Sequence, residues 1–428
     1  MKIDQKKVSC VMNISNSYLN RAAEISILIF PPMFILVPKG GDVVVLFLLV
    51  INLTYLAINR GDKIAYSFEE KKLLLVIGLY LGLHMLNNFL VGSKALETDG
   101  IALFILLLPL FHHIRKFNMD GNFVIYGILA GAFACFLIAI YQRYMLGMPR
   151  VDGFFKIIAF GGISATLALM CFWVAIFTQR RKMSLLMYCG FGLAWYASLL
   201  SGSRGPWLSV FSCLVLLILL NPKDWSVKKR VITTLSSLVL ILSAYALPGV
   251  QQRVELAAGQ IDTYFSQELE NNLVGNAVGL RLEVWRAALI SIGEKPWLGI
   301  GSENFDDMIT GLANRGEIDP ILPTNIAHVH NEYLSTAVYR GIPGLASLLL
   351  IFLVPLYTFL KNYHSAKSND QLLLGCGIVM IVSSMTMSMS DLFFQHHRES
   401  LFFAVYIYLI YGLVFSGSEK APTGKALP

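Results

Sequence analysis

The chain has 428 residues, 56% hydrophobic and 14% charged, with a mean hydropathy of +0.62, far too apolar for a soluble domain of this size. The formal net charge is +7, but the basic residues sit in short connections between apolar runs, a distribution that reports membrane topology rather than a nucleic-acid surface. Hydrophobic runs of about 16 to 25 residues recur along the chain, each able to cross about 30 Å of hydrocarbon as a helix. Lipid offers the backbone no partners, so these runs must be helices, and their number excludes a strand-built barrel.

The expected fold class is an all-α polytopic integral membrane protein of about twelve transmembrane helices with one large periplasmic segment containing short helices. The runs fall near 22–38, 43–58, 73–91, 99–114, 121–141, 154–177, 184–200, 205–220, 231–247, 333–360, 371–390 and 400–416. Lys2, Lys6, Lys7, Arg21, Arg60, Lys63, Lys71, Lys72, Arg115, Lys116, Arg180, Arg181, Lys182, Lys223, Lys228, Lys229, Arg230, Lys361 and Lys367 all fall on one side, the expected cytoplasmic side. The opposite short loops carry Lys39, Lys94, Arg143, Arg150, Arg204 and Arg398. Both termini are therefore expected inside. Residues 1–21 lack an apolar stretch followed by a small-residue cleavage site, so no cleaved signal peptide is expected. The resulting organisation is nine helices in 1–247, a periplasmic segment carrying the catalytic site in 248–331, three helices in 332–416 and a cytoplasmic tail, 417–428. Six cysteines in or beside apolar runs, without pairing or metal spacing, read as small buried hydrophobes.

Residues 248–331 hold eleven acidic and five basic side chains, so no positive-inside signal retains them in the cytoplasm. Val254, Ala257, Ala258, Ile261, Phe265 and Leu269 recur at helical spacing, which predicts an amphipathic helix on the membrane or the bundle. A second helix is predicted from about Leu280 to Ile292, stopped by Gly293 and Pro296. Pro296 to Gly301 reads as turns, residues 302–327 as loop, and Asn331 as the cap of the tenth span.

Within this frame, Arg204 closes the connection Ser201-Gly202-Ser203-Arg204 at a helix start. Free N–H groups, flexible glycine and a permanent cation suit a phosphate; the competing reading is an arginine snorkelling at a span end. Arg281 and Arg286 lie on the predicted short helix with Trp285 beside them. With Arg204 they can neutralise a diphosphate without metal while the aromatic packs on lipid or sugar; the alternative pairs them with Glu283 and other local acids. Of the histidines, His328, His330, His396 and His397 fall on the outer side. A neutral imidazole accepts a hydroxyl proton near pH 7, and His330, at the head of a helix, suits that task. His328, His330 and Glu332 lack the helical spacing of a zinc site. Glu268-Leu269-Glu270, Asp306-Asp307 and Glu317-Ile318-Asp319 read as solvated loop acids. No metal and no cofactor are expected.

Ser203-Arg204-Gly205, then Arg281 with Trp285, Pro296-x-x-Gly299-x-Gly301-x-x-Asn304-Phe305, His330-Asn331-x-Tyr333-Leu334 and Arg340-Gly341-x-Pro343-Gly344, in that order over residues 200–345, resemble the O-antigen ligase superfamily of Gram-negative inner membranes. The superfamily also includes O-antigen polymerases and protein O-oligosaccharyltransferases. Polymerases of this group usually carry a second sizeable periplasmic loop and the protein-glycosylating members a soluble C-terminal domain; neither pattern fits the loop lengths here, so the ligase is the better match.

The resemblance implies an inverting glycosyltransferase of the bacterial inner membrane. Its donor would be an O-antigen polysaccharide on undecaprenyl diphosphate and its acceptor the lipid A-core oligosaccharide, with membrane lipids as surroundings and no nucleic acid. It implies catalytic roles for Arg204, Arg281 and His330, and a substrate-binding set of Arg204, Arg281, Arg286, Trp285, His328 and Asn331. His328 precedes His330 by two, which leaves open which imidazole is the base. A polymerase would use the same groups on a second lipid-linked glycan. A transporter would need charge within the spans or inverted repeats; only Lys156, His84 and Arg340 are candidates, and no repeat is evident.

Overall fold

A computed structural model describes residues 5–59, 66–92, 99–116, 119–219, 231, 248–265 and 276–416. They form sixteen α-helices and no strand. In order these are α1 (Gln5–Leu36), α2 (Gly40–Ile58), α3 (Phe68–Val91), α4 (Asp99–Leu106), α5 (Leu108–Lys116), α6 (Asn122–Ile140), α7 (Ile157–Phe177), α8 (Arg181–Ser201), α9 (Arg204–Leu219), α10 (Pro248–Phe265), α11 (Ala277–Glu294), α12 (Phe305–Asn314), α13 (Leu322–Asn325), α14 (Glu332–Tyr363), α15 (Ser368–Met387) and α16 (His397–Phe415). Nine of the described helices are long and apolar enough to cross a membrane: α1, α2, α3, α6 with its π-helical extension to Met145, α7, α8, α14, α15 and α16. The protein is an all-α polytopic membrane protein.

Three expected spans are not among those nine. The fourth is divided at Leu107 into α4 and α5, because Pro109 has no N–H to give the preceding turn. The eighth appears as the 16-residue α9. Of the ninth, 231–247, all but Val231 lies outside the described residues, as do Glu268, Leu269, Glu270, the tail from Gly417 and the loop cations Lys2, Arg60, Lys63, Lys94, Lys223, Lys228, Lys229 and Arg230. The tenth span is not continuous either. The backbone leaves helical geometry at Gly341, so α14 is two helical pieces joined by a kink.

The core gathers around α7, which packs on α8, α9 and α15 and is almost wholly buried. Gly161, Gly162, Ser164 and Ala165 let these neighbours approach closely, and Thr166 Oγ1 meets Ser383 Oγ of α15 at 2.6 Å. Cys135, Cys171, Cys213 and Cys376 are buried as expected, whereas Cys189 is exposed.

A second, smaller core lies at one end of the bundle. Val284, Ala287 and Ala288 of α11 pack with Phe305, Ile309 and Leu312 of α12 and with Val329, Val338 and Tyr339. Residues 302–327 are therefore not simply loop: Phe305, Ile309 and Leu312 recur at i, i+4 and i+7, a stripe that Gly311 and the flanking polar residues obscure in the sequence. The turn Pro296–Gly301 runs against the kink of α14. Ile300 N–H donates to Val338 O at 2.9 Å, Gly301 N–H to Tyr339 O at 3.0 Å and Ile342 N–H to Pro296 O at 2.8 Å. Gly299 and Gly341 both have φ of 66°, and a Cβ on either would lie 2.4 or 2.3 Å from the other segment's backbone oxygen, so only glycine fits. The Gly-x-Gly and Arg-Gly-x-Pro-Gly motifs are thus two halves of one contact. Helix α10 exposes Val254, Leu256, Ile261 and Phe265, the apolar surface expected of a membrane-lying helix.

Candidate functional site

The end of the bundle that carries the second core also gathers the starts of α7, α9 and α11 and the turn that follows α15. Between them lies a cavity of about 540 Å³. Its described lining includes four cations, Arg150, Lys156, Arg204 and Arg281, and a single carboxylate, Asp391. Helix α8 ends at Gly202, φ 63°, and α9 begins two residues later, which turns the N-terminal end of α9 toward the cavity. Arg150 fixes this connection, donating from Nε to Ser201 O at 2.9 Å and from Nη2 to Ser203 Oγ at 3.4 Å. Gly205 brings α9 against the 388–391 turn, where a Cβ would lie 2.3 Å from Ser390 Oγ. A helix start flanked by guanidinium groups is a site for an anion. Burial pushes the Arg281 guanidinium below its ordinary value, opposed by Asp391, and it remains a cation.

Asp391 is the junction of the site. His328 Nε2 lies 3.8 Å, His330 Nδ1 3.9 Å and His396 Nε2 3.8 Å from its Oδ1. The His328 and His330 rings are 3.9 Å apart, centroid to centroid. Burial pushes the Asp391 carboxyl upward, but His328, His396 and the Leu392 N–H, 2.9 Å from Oδ1, outweigh it and hold the group well below the usual carboxylate range. His330 moves the other way. Burial first, then the neighbouring His328 and Arg281, lower it to about 4, so its imidazole is neutral near pH 7 and able to accept a proton. It is held in a left-handed conformation, φ 54°, one that costs energy in a non-glycine residue and clusters at functional sites. Its Nδ1 is buried without a hydrogen-bond partner.

The loop is fixed on both sides. Asn331 caps α14, its Oδ1 accepting from Tyr333 N–H at 3.0 Å and Leu334 N–H at 3.1 Å, while its Nδ2 donates to Met389 O at 3.2 Å. Glu332 N–H donates to Ser388 O at 2.8 Å and Tyr333 Oη to Met385 O at 2.8 Å. These bonds tie the head of α14 to the end of α15 and so set the histidines beside Asp391. Trp285 supports the same loop from behind through Nε1–H to Val329 O at 3.0 Å.

The structure therefore brings Arg204, Arg281, His328 and His330 together around Asp391. It places Asn331 and Trp285 as supports of the histidine loop. Arg286 lies elsewhere, paired with Glu283 at 3.3 Å and more than half exposed, which is the acid-paired arrangement weighed against the phosphate role. Asp391, Arg150, Lys156 and His396 were not assigned to the site from sequence. The one available signal was the outer loop after α15, where Asp391 precedes His396 and His397. His328, His330 and Asp391 also place one metal-ligand atom each within 4.8 Å of the others, a grouping that the His-x-His spacing alone does not reveal. Arg281 and Lys156 act on the same histidine as like charges, and that field opposes a dication there.

Fold and site together define a polytopic helical membrane protein with a cation-lined cavity beside a carboxylate–histidine cluster at one end of its bundle. Residues 189–349, the stretch containing α9, Arg281, His328, His330 and the α14 kink, match the family model described as O-antigen ligase. An uncharacterized protein of Haemophilus influenzae is 26% identical over 396 residues, covering 91% of this chain and 98% of its own length.

Proposed function

We propose that the protein is an O-antigen ligase, which moves a polysaccharide from undecaprenyl diphosphate to a hydroxyl of the lipid A-core oligosaccharide. The observation that carries this reading is the cavity in which four cations face one carboxylate. A diphosphate placed there neutralises that field and gains two guanidinium groups, Arg204 and Arg281, as the charge of the leaving group develops. An imidazole beside Asp391 removes the proton from the acceptor hydroxyl. The freed oxygen attacks the anomeric carbon in line, the carbon–oxygen bond to the diphosphate breaks with its electron pair going to the diphosphate, and the configuration inverts. His330 is the favoured base, with Nδ1 toward Asp391 and Nε2 left for the hydroxyl; His328 is the alternative on the same carboxylate. No nucleotide sugar, metal or cofactor takes part in this scheme. The protein sits in the bacterial inner membrane with both termini in the cytoplasm and residues 248–331 in the periplasm.

Deleting the gene in its own host and following both lipopolysaccharide on a gel and the undecaprenyl-linked glycan pool tests the reading. A ligase predicts loss of every O-antigen band with long polymer accumulating on the carrier. A single-repeat band would make the protein a polymerase, the second reading, which the shared superfamily supports equally.

A further inference from the structure

A second cavity, of about 410 Å³, lies on the other side of the histidines. Lys156 lines both cavities, Asp391 lines the first, and His328 and His396 line the second. Since both imidazoles stand 3.8 Å from Asp391, the wall between the chambers is the carboxylate–histidine cluster itself.

The two chambers differ in charge. In the second, Lys156 shares the lining with two carboxylates, Glu303 and Asp306, so a diphosphate finds no net attraction there. The remaining lining suits a sugar. Phe305 and Tyr339, packed edge to face at 6.2 Å and mostly buried, bring ring edges to the lining, where sugar C–H groups can pack while carboxylates and amides take the hydroxyls. Gln395 adds an unspent donor, since its Nε2 is buried with no hydrogen-bond partner. Leaving such a group unsatisfied is costly unless something else meets it.

We infer that the second cavity is the acceptor-sugar site, holding the hydroxyl-bearing end of a glycan against Gln395, Asp306 and the Phe305–Tyr339 surface, so that its hydroxyl reaches the histidines from the side opposite the diphosphate. This rests on the transferase reading; in-line displacement then requires the donor's anomeric carbon to lie at the junction of the two chambers, the hydroxyl entering on one face of that carbon as the diphosphate leaves from the other. The imidazoles that line this chamber are His328 and His396, so an acceptor held here meets His328, the alternative base on Asp391, more directly than His330.

The test uses the full-length protein in detergent and two probes: oligosaccharide released from lipid A-core, and undecaprenyl diphosphate. Ala327→Trp fills the second chamber, and Gln395→Ala removes the unspent donor. Saturation-transfer NMR is expected to show the oligosaccharide bound to wild type, lost in A327W and weakened about tenfold in Q395A. The same variants should bind undecaprenyl diphosphate as wild type does, which also shows that they fold. Oligosaccharide binding that is absent from wild type, or unchanged by A327W, overturns the assignment, as does a variant that loses only the diphosphate. The two readings fail separately: wild-type protein that binds oligosaccharide in this chamber yet transfers nothing removes the ligase and leaves the sugar site standing.

Discussion

The cavity wall and the far end of the bundle treat charge differently. At the end away from the cavities, charges are matched locally: Glu70, fully buried, pairs with Arg115, whose guanidinium also lies 4.5 Å from the Tyr66 ring centre. Glu69 takes Lys72 at 3.0 Å and Lys361 at 4.0 Å, and Arg21 takes Glu24 at 3.3 Å. At the other end, four cations line one cavity around a single carboxylate. The first arrangement holds helices together. The second sets more cations than carboxylates along a cavity wall, a field preorganised toward an anion rather than closed between two helices.

Exchanging the two behaviours by mutation separates them. The largest effect is expected at the cavity. Arg204→Ala or Arg281→Ala should lower transfer by about a hundredfold to a thousandfold while the protein still inserts and keeps its melting temperature; a lowered melting temperature with normal transfer by the folded fraction would make these arginines structural. Next, Asp391→Asn should lower kcat about a hundredfold by releasing the imidazoles from their shared carboxylate. His330 offers a check of sign. Its folded value is depressed to about 4, so the base stays neutral across the neutral range and activity falls only as pH drops toward that value. Because Asp391 acts to raise His330, the acid limb of Asp391→Asn should move to lower pH, and a limb that moves upward would remove His330 as the base.

Smaller effects belong to the matched end, and they should appear in stability alone. Glu70→Ala leaves buried Arg115 without that carboxylate and should cost about 3 kcal/mol in thermal or denaturant unfolding, with kcat of the folded protein unchanged. Lys361→Ala, half exposed and 4.0 Å from Glu69, should cost no more than about 0.5 kcal/mol. A loss of transfer in either variant would erase the distinction between the ends.

The helical membrane class was legible in the apolar runs, because burial in lipid demands long stretches with few charges. Interruptions were harder to see. Pro109 and Gly341 break helices inside runs that hydropathy treats as continuous. The stripe of α12 was hidden by its polar neighbours, as its burial depends on α11 and on residues near Val338. At the site, Arg204, Arg281 and the histidines stood out because each occupies a helix end or sits beside a recognisable motif. Asp391 and Gln395 did not. Nothing periodic marks them, and their meaning comes from partners about sixty residues or more away in the chain: His328 and His330 for the carboxylate, Phe305 and Tyr339 for the amide. Arg286 shows the converse, a residue at the expected spacing that turned to the nearest acid.

The backbone contact between Gly299 and Gly341 bears on how such a protein can diversify. Three main-chain hydrogen bonds close the base of the segment that leaves the bundle after Gly301, and Asn331 pins its far end to Met389. What lies between, residues 302–327, supplies Glu303, Phe305, Asp306 and Ala327 to the second chamber. A stretch anchored at both ends can vary where it faces the chamber, provided that Phe305, Ile309 and Leu312 keep their packing on α11 and on Val338. New glycan preferences would then arise by substitution within this insert, while the arginines, the histidines and their carboxylate stay where the transmembrane scaffold puts them.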